Sequence, residues 1–153
     1  MAIKKYSIYN TILEKFILKL GDKFYKVHYT DELSRWRRIK ILSKEEINKL
    51  QEDNLKKLLI HSIEKIPFYK KLKTDVDLSD GDVIKNLKKF PIMDKGLLKS
   101  ELDNLVLGDI NKLTKHMTSG SSGIQGETYE SLNEQLSQRA IINFLWEWSG
   151  YRM

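Results

Sequence analysis

The chain of 153 residues contains no cysteine. That excludes a disulfide framework and any thiolate metal site, and it suits a reducing cytoplasm, the expected location. Long apolar runs are also missing. The longest candidate, "AIINFLW" at 140–146, is far too short to span a bilayer and contains Asn143. The opening "MAIKKYSIYNTILEKFILKLG" does not read as a secretory signal, because Asn10, Glu14, Lys15 and Lys19 break its apolar residues. Proline occurs twice, at Pro67 and Pro91, and each is expected to interrupt helix. Three familiar glycine motifs are absent. There is no G-x-x-x-x-G-K-[ST], no G-x-G-x-x-G and no G-x-S-x-G, which removes the simplest sequence grounds for a P-loop, a dinucleotide fold or a serine hydrolase. The three histidines, His28, His61 and His116, are widely spaced without an acidic cluster, so no metal site is expected.

What is present is a soluble composition, 41% hydrophobic and 31% charged. The net charge is +6, and it is unevenly placed. Residues 1–50 hold 12 Lys/Arg against 6 Asp/Glu, and the remainder holds 15 of each. The basic residues are scattered through helical text rather than run together, and no nucleic-acid motif accompanies them. A solvated basic face is expected, and no nucleic-acid partner.

Hydrophobic spacing predicts a mostly helical chain. Tyr9, Ile12, Leu13, Phe16, Ile17 and Leu20 follow one helix face, with Gly21 as the expected stop. A core-packing role is favoured for that face over a membrane-surface role, because further amphipathic helices follow and need partners. Residues 22–41 read as helical, with Leu33 and Trp36 inward. Ser43 and Glu46 form a capping-box pattern before a long helix carrying Ile47, Leu50, Leu55, Leu58, Leu59 and Ile66. "PFYKKL" adds a turn. Asp80 and Asp94 are expected caps for short helices with Val83, Ile84 and Leu87, then Leu97, Leu98 and Leu102. "LTKHMT" and "ETYES" read as short strands. A last helix runs from Leu132 to about Ser149, with Leu136, Ala140, Ile141, Phe144, Leu145 and Trp148 on one side. It is apolar nearly all round, so exposed apolar surface and self-association are expected.

Between the two strand-like segments lies "TSGSSGIQGETY", residues 118–129. Glycines let successive amides converge on an anion, and Ser and Thr hydroxyls add donors at little steric cost. Each donor to a charged oxygen contributes roughly 1.5–3 kcal/mol net. A flexible Ser/Gly linker is the bland alternative, yet it leaves the ordered strand and helix patterns on either side without a reason.

"TSGSSG" resembles the phosphate loop of the adenylate-forming, AMP-forming ligase superfamily. "LKKLLIHSIEKIPFYKKL", "LKKFPIMDKGLL", "TSGSSG" and "NFLWEWSGYR" follow in the order seen in the amino-terminal part of the phenylacetate–CoA ligase family, nearest its capsular-polysaccharide biosynthesis branch. The similarity covers roughly residues 43–153. It implies the incomplete amino-terminal portion of the family's α/β large domain. The expected divisions are a basic helical lead-in at 1–42, a helical region at 43–112, and a strand, phosphate loop, strand and helix at 113–153.

The resemblance also implies an activity. Such enzymes join a small-molecule carboxylic acid to ATP, giving an acyl-adenylate and pyrophosphate, and then pass the acyl group to coenzyme A or another acceptor. Thr118, Ser119, Gly120, Ser121, Ser122 and Gly123 match the loop that holds the β- and γ-phosphates, with Mg²⁺ nearby. Ile124, Gln125, Gly126 and Glu127 follow where the family usually has Pro and often Lys. Gln125 is expected to loosen the loop, and Glu127 to add negative charge. The family's adenine- and ribose-binding motifs and catalytic lysine have no counterpart in these residues, so no catalytic residue is assigned. The expectation is a chain inactive alone, either a gene remnant or one part of a split enzyme completed by a downstream polypeptide. The alternative is a non-catalytic helical module docking on an acidic partner or a membrane surface.

Overall fold

A computed structural model describes residues 8–71, 82–118 and 125–151. It is mostly helical with a short two-stranded antiparallel hairpin, as the periodicity predicts. The contacts divide the chain into two units. One comprises the described residues up to Leu42 and from Glu130 onward, the other residues 43–129.

The first unit begins with three consecutive helical segments. They are α1 (Ile8–Ile12), a π turn (Leu13–Ile17) and α2 (Leu18–Tyr25). Gly21 does not stop this helix. It lies inside α2, and Lys26 ends the helix in the left-handed conformation with φ 53°. An interior glycine costs about 1 kcal/mol relative to alanine, which weakens a helix without terminating it. Helix α3 (Tyr29–Ile39) follows after a break at 26–28 that interrupts the helix expected across 22–41. Asp31 and Glu32 in its first turn and Arg37 and Arg38 in its last turn complement the helix dipole.

Helix α9 (Leu132–Trp148) packs lengthwise on α3. A capping box of Ser131 with Glu134 starts it, satisfying two amides that the first turn leaves without partners. Ala140 is fully buried, and its small side chain joins Tyr29, Leu33 and Phe144 in a tight cluster. Leu18, Trp36 and Leu136 close around that cluster. Leu33 and Trp36 therefore do face inward.

The second unit is built on α4 (Lys44–Lys65), started by the predicted Ser43–Glu46 capping box. Ile66 takes an extended backbone ahead of Pro67, as a residue preceding proline must, and α5 (Pro67–Lys70) is one further turn. Short helices α6 (Val83–Leu87), α7 (Lys95–Ser100) and α8 (Leu102–Leu105) follow. Asp94 caps α7 as expected, its carboxylate accepting from the Leu97 amide at 2.7 Å. The cap of α6 is Asp82, which accepts from Lys85 N–H at 2.9 Å; Asp80 lies outside the described residues. The buried residues Leu59, Ile63, Phe68 and Val83 sit on α4, α5 and α6, elements that pack together. Ile63 was not foreseen as core, whereas Leu58, expected inward, is exposed. A 3-10 turn (Ile110–Lys112) leads into β1 (Thr114–Met117), which pairs with β2 (Glu127–Glu130).

The largest departure from expectation concerns the first helix. Tyr9, Ile12, Phe16, Ile17 and Leu20 do not enter the core; all are exposed, with Phe16 at 68% and Leu20 at 71%. The far end of α9 is likewise open at Leu145, Trp146 and Trp148.

Candidate functional site

The hairpin of the second unit flanks the Gly/Ser segment of the sequence. Its two strands are short, and every residue of β1 is exposed. A two-stranded hairpin of this length is marginal by itself, so the bonds at its neck matter. Thr118 and Gly126 form that neck through two hydrogen bonds. The Thr118 amide donates to the Gly126 carbonyl at 3.0 Å. The Gly126 amide donates back to Thr118 Oγ1 at 2.9 Å. The intervening segment starts and ends at one point, and the hydroxyl of Thr118 keeps its own proton as a donor.

Of the predicted phosphate-binding residues, the structure places Thr118 at this neck. Ser119, Gly120, Ser121, Ser122 and Gly123 lie outside the described residues. Gly126 is buried, and its φ is not in the left-handed region, unlike Gly108 and Gly150. A Cβ there would stand 3.5 Å from Thr118 Oγ1, an ordinary contact.

Below the neck, Lys115 and Glu127 pair across the strands, with Nζ to Oε2 at 3.0 Å. Tyr129 donates its hydroxyl to the same oxygen at 3.1 Å. The hydrogen bond from Lys115 holds the Glu127 carboxyl below the usual glutamate range, against a smaller opposing effect of desolvation. The reciprocal bond raises Lys115. The negative charge expected from Glu127 beside the loop is therefore locally countered by a cation and a hydroxyl. Opposite charges on the two strands are visible in the sequence, but the register that brings Lys115 to Glu127 is not.

A second polar cluster, in the first unit, was not legible. Arg37 on α3 bridges Glu14 of the π turn and Glu147 of α9. Its guanidinium donates to Glu14 at 2.9 and 3.0 Å and to both oxygens of Glu147. Burial alone would lower the Arg37 pKa, but the bonds to Glu147 and Glu14 outweigh it and raise the group above its ordinary value. Beside it, Asn143 donates its amide to the hydroxyl of Tyr29, whose pKa is raised chiefly by burial. The recess between these side chains holds about 10 Å³, room for one water and no substrate. Its work is to lock three helical segments together.

Among the described residues, no three metal-ligating side chains come together. No family model, no curated protein and no solved structure matches this chain.

Proposed function

We propose that this chain supplies the phosphate-gripping turn of an ATP-dependent acyl-adenylating enzyme similar to the phenylacetate–CoA ligase family. The observation that carries the proposal is the doubly bonded Thr118–Gly126 neck. It closes a segment whose sequence, Ser119 to Gly123, is hydroxyls and glycines. A neck of this kind fixes where the segment begins and ends, so less order has to be imposed there when a polyphosphate arrives. The Lys115–Glu127 pair supports it by countering the negative charge nearest the turn.

In that role the hydroxyls and amides of residues 118–123 would orient the leaving pyrophosphate and offset the charge growing on it. Mg²⁺ would bridge the same phosphates. The carboxylic acid, the adenosine and the acyl acceptor, coenzyme A or another nucleophile, would be held by parts of the family enzyme that have no counterpart in these residues. A few donors contribute several kcal/mol, whereas enzymes lower barriers by about 8–23 kcal/mol. The activity is accordingly assigned to a complex with a complementing polypeptide.

The test is ATP–pyrophosphate exchange in a mixture of this chain with a polypeptide bearing the family's adenine-binding region and catalytic lysine. Exchange that needs both chains and a carboxylic acid, and that falls roughly tenfold or more for Ser121→Ala or Ser122→Ala, is the expected result. Exchange unaffected by those substitutions would remove the turn from the reaction.

A further inference from the structure

The first helix shows an arrangement that phosphate binding does not use. Ile8, Ile12, Phe16, Leu20 and Phe24 are spaced four residues apart, and Ile17 lies beside them. All six are exposed, from 47% at Ile12 to 80% at Ile8. In a regular α-helix a four-residue step advances about 40° beyond a full turn, so such a row winds round the surface. The π turn at Leu13–Ile17 takes more residues per turn and cancels much of that drift. The result is an apolar stripe that winds less steeply than in a regular α-helix, on a helical run from Ile8 to Tyr25.

The charges of the same run are sorted by sign. Both acidic residues are engaged toward the body of the unit. Glu14 is bonded to Arg37, and its side chain is only 16% exposed. Asp22 accepts from the amide and the hydroxyl of Thr30, at 2.8 and 2.6 Å. The lysines are turned the other way. Lys15, Lys19 and Lys23, again four apart, are all exposed, as is Lys26 just beyond. They flank the stripe, each one residue before Phe16, Leu20 or Phe24. An apolar face with a row of cations along one edge is the pattern of a helix lying in a membrane interface, its aliphatic and aromatic side chains among the acyl chains and its ammonium groups at anionic headgroups.

We infer that the helix Ile8–Tyr25 docks the protein in the plane of an anionic lipid bilayer. It lies on the surface rather than crossing it; no helix among the described residues is long and apolar enough to span. A protein partner would need a groove matching both the stripe and the lysine row. An anionic bilayer offers apolar depth and negative charge along the whole length of the run without such a match. The inference is independent of the nucleotide proposal, because it uses other residues in the other unit.

Flotation of the full chain with vesicles is the test. Vesicles of phosphatidylcholine containing a third phosphatidylglycerol are compared with pure phosphatidylcholine. The chain is expected to float with the anionic vesicles, far less with the neutral ones, and to be released by high salt. Replacing Lys15, Lys19 and Lys23 together by glutamine is expected to weaken anionic-vesicle binding by about a hundredfold. Phe16→Glu with Leu20→Glu is expected to abolish flotation. These side chains are exposed, so circular dichroism should show both variants folded. Retention of the wild-type chain in the aqueous phase would overturn the inference. So would equal binding to both vesicle types, or a stable dimer in solution that Phe16→Glu with Leu20→Glu dissociates.

Discussion

Arg37 can be tested by replacement with methionine, which keeps the length of the side chain and removes the charge. In the native chain, Arg37 lies between Glu14 and Glu147, with side chains 27%, 16% and 20% exposed respectively. Removing one partner of a fully buried ion pair costs about 3–5 kcal/mol, because the remaining charge keeps its desolvation and loses its compensation. Residual solvent lowers that here, to about 2–4 kcal/mol. With a urea dependence of about 1–3 kcal/mol/M, the midpoint should fall by about 1–2 M. Trp fluorescence can report it, since the Trp36 ring packs 6.3 Å from that of Phe144 in the same core. Adding Glu147→Gln should restore part of the loss, because one of the two facing anions disappears. The pH dependence has a definite sign. The folded Arg37 pKa is raised, so the wild-type contribution is fully present below the ordinary arginine range and constant through neutrality. A deficit below about 0.5 kcal/mol, the size of an ordinary surface change, would refute the locking role.

Further expectations follow from single residues. Gly21 lies in a helix with open space where a Cβ would stand, so Gly21→Ala should stabilise the first unit by about 0.5–1 kcal/mol in urea titration; destabilisation would mean the helix does not pass through Gly21. Ala140 is fully enclosed, and Ala140→Leu should cost about 1–3 kcal/mol by overpacking; a neutral result would contradict close packing of α3 on α9. Glu127 should titrate by NMR with a midpoint below the ordinary 4.5, and the pairing with Lys115 should weaken as the pH falls through that depressed midpoint. Lys115→Met should return the Glu127 midpoint toward 4.5, and no change would exclude the cross-strand bond.

Local signals in the sequence translated well into structure. The Ser43–Glu46 capping box, the Asp94 cap, the break at Pro67, and both strands depend on chain neighbours within a few residues, so they are readable one segment at a time. Two kinds of feature were not. Gly21 looked like a stop because an isolated glycine after an apolar run resembles a C-terminal cap; the helix continues because Phe24 and Tyr25 complete another turn before Lys26 turns left-handed. The apolar row from Ile12 to Leu20 looked like core because periodicity shows that a helix has two faces but not which face meets a neighbour. Here the contact with the core is made by Leu18, while Glu14 and Asp22 bond to α3 residues on the inward side. In the Glu14–Arg37–Glu147 bridge, Arg37 and Glu147 lie 110 residues apart, so it has no local signature. At the candidate site, the loop composition was legible, and so was the presence of Glu127. Its pairing with Lys115 was not, because strand register decides which side chains face each other.

The most direct measurement is the response of the Thr118 and Gly126 amide resonances of the full chain to magnesium pyrophosphate. A turn shaped for polyphosphate predicts saturable shifts at both amides, with a dissociation constant of order 1 mM for the several kcal/mol such donors supply. Thr118→Val, which removes the hydroxyl from the neck, should weaken that binding about tenfold. Resonances that do not move at saturating pyrophosphate, or that move equally in Thr118→Val, would contradict a phosphate-gripping role for the turn.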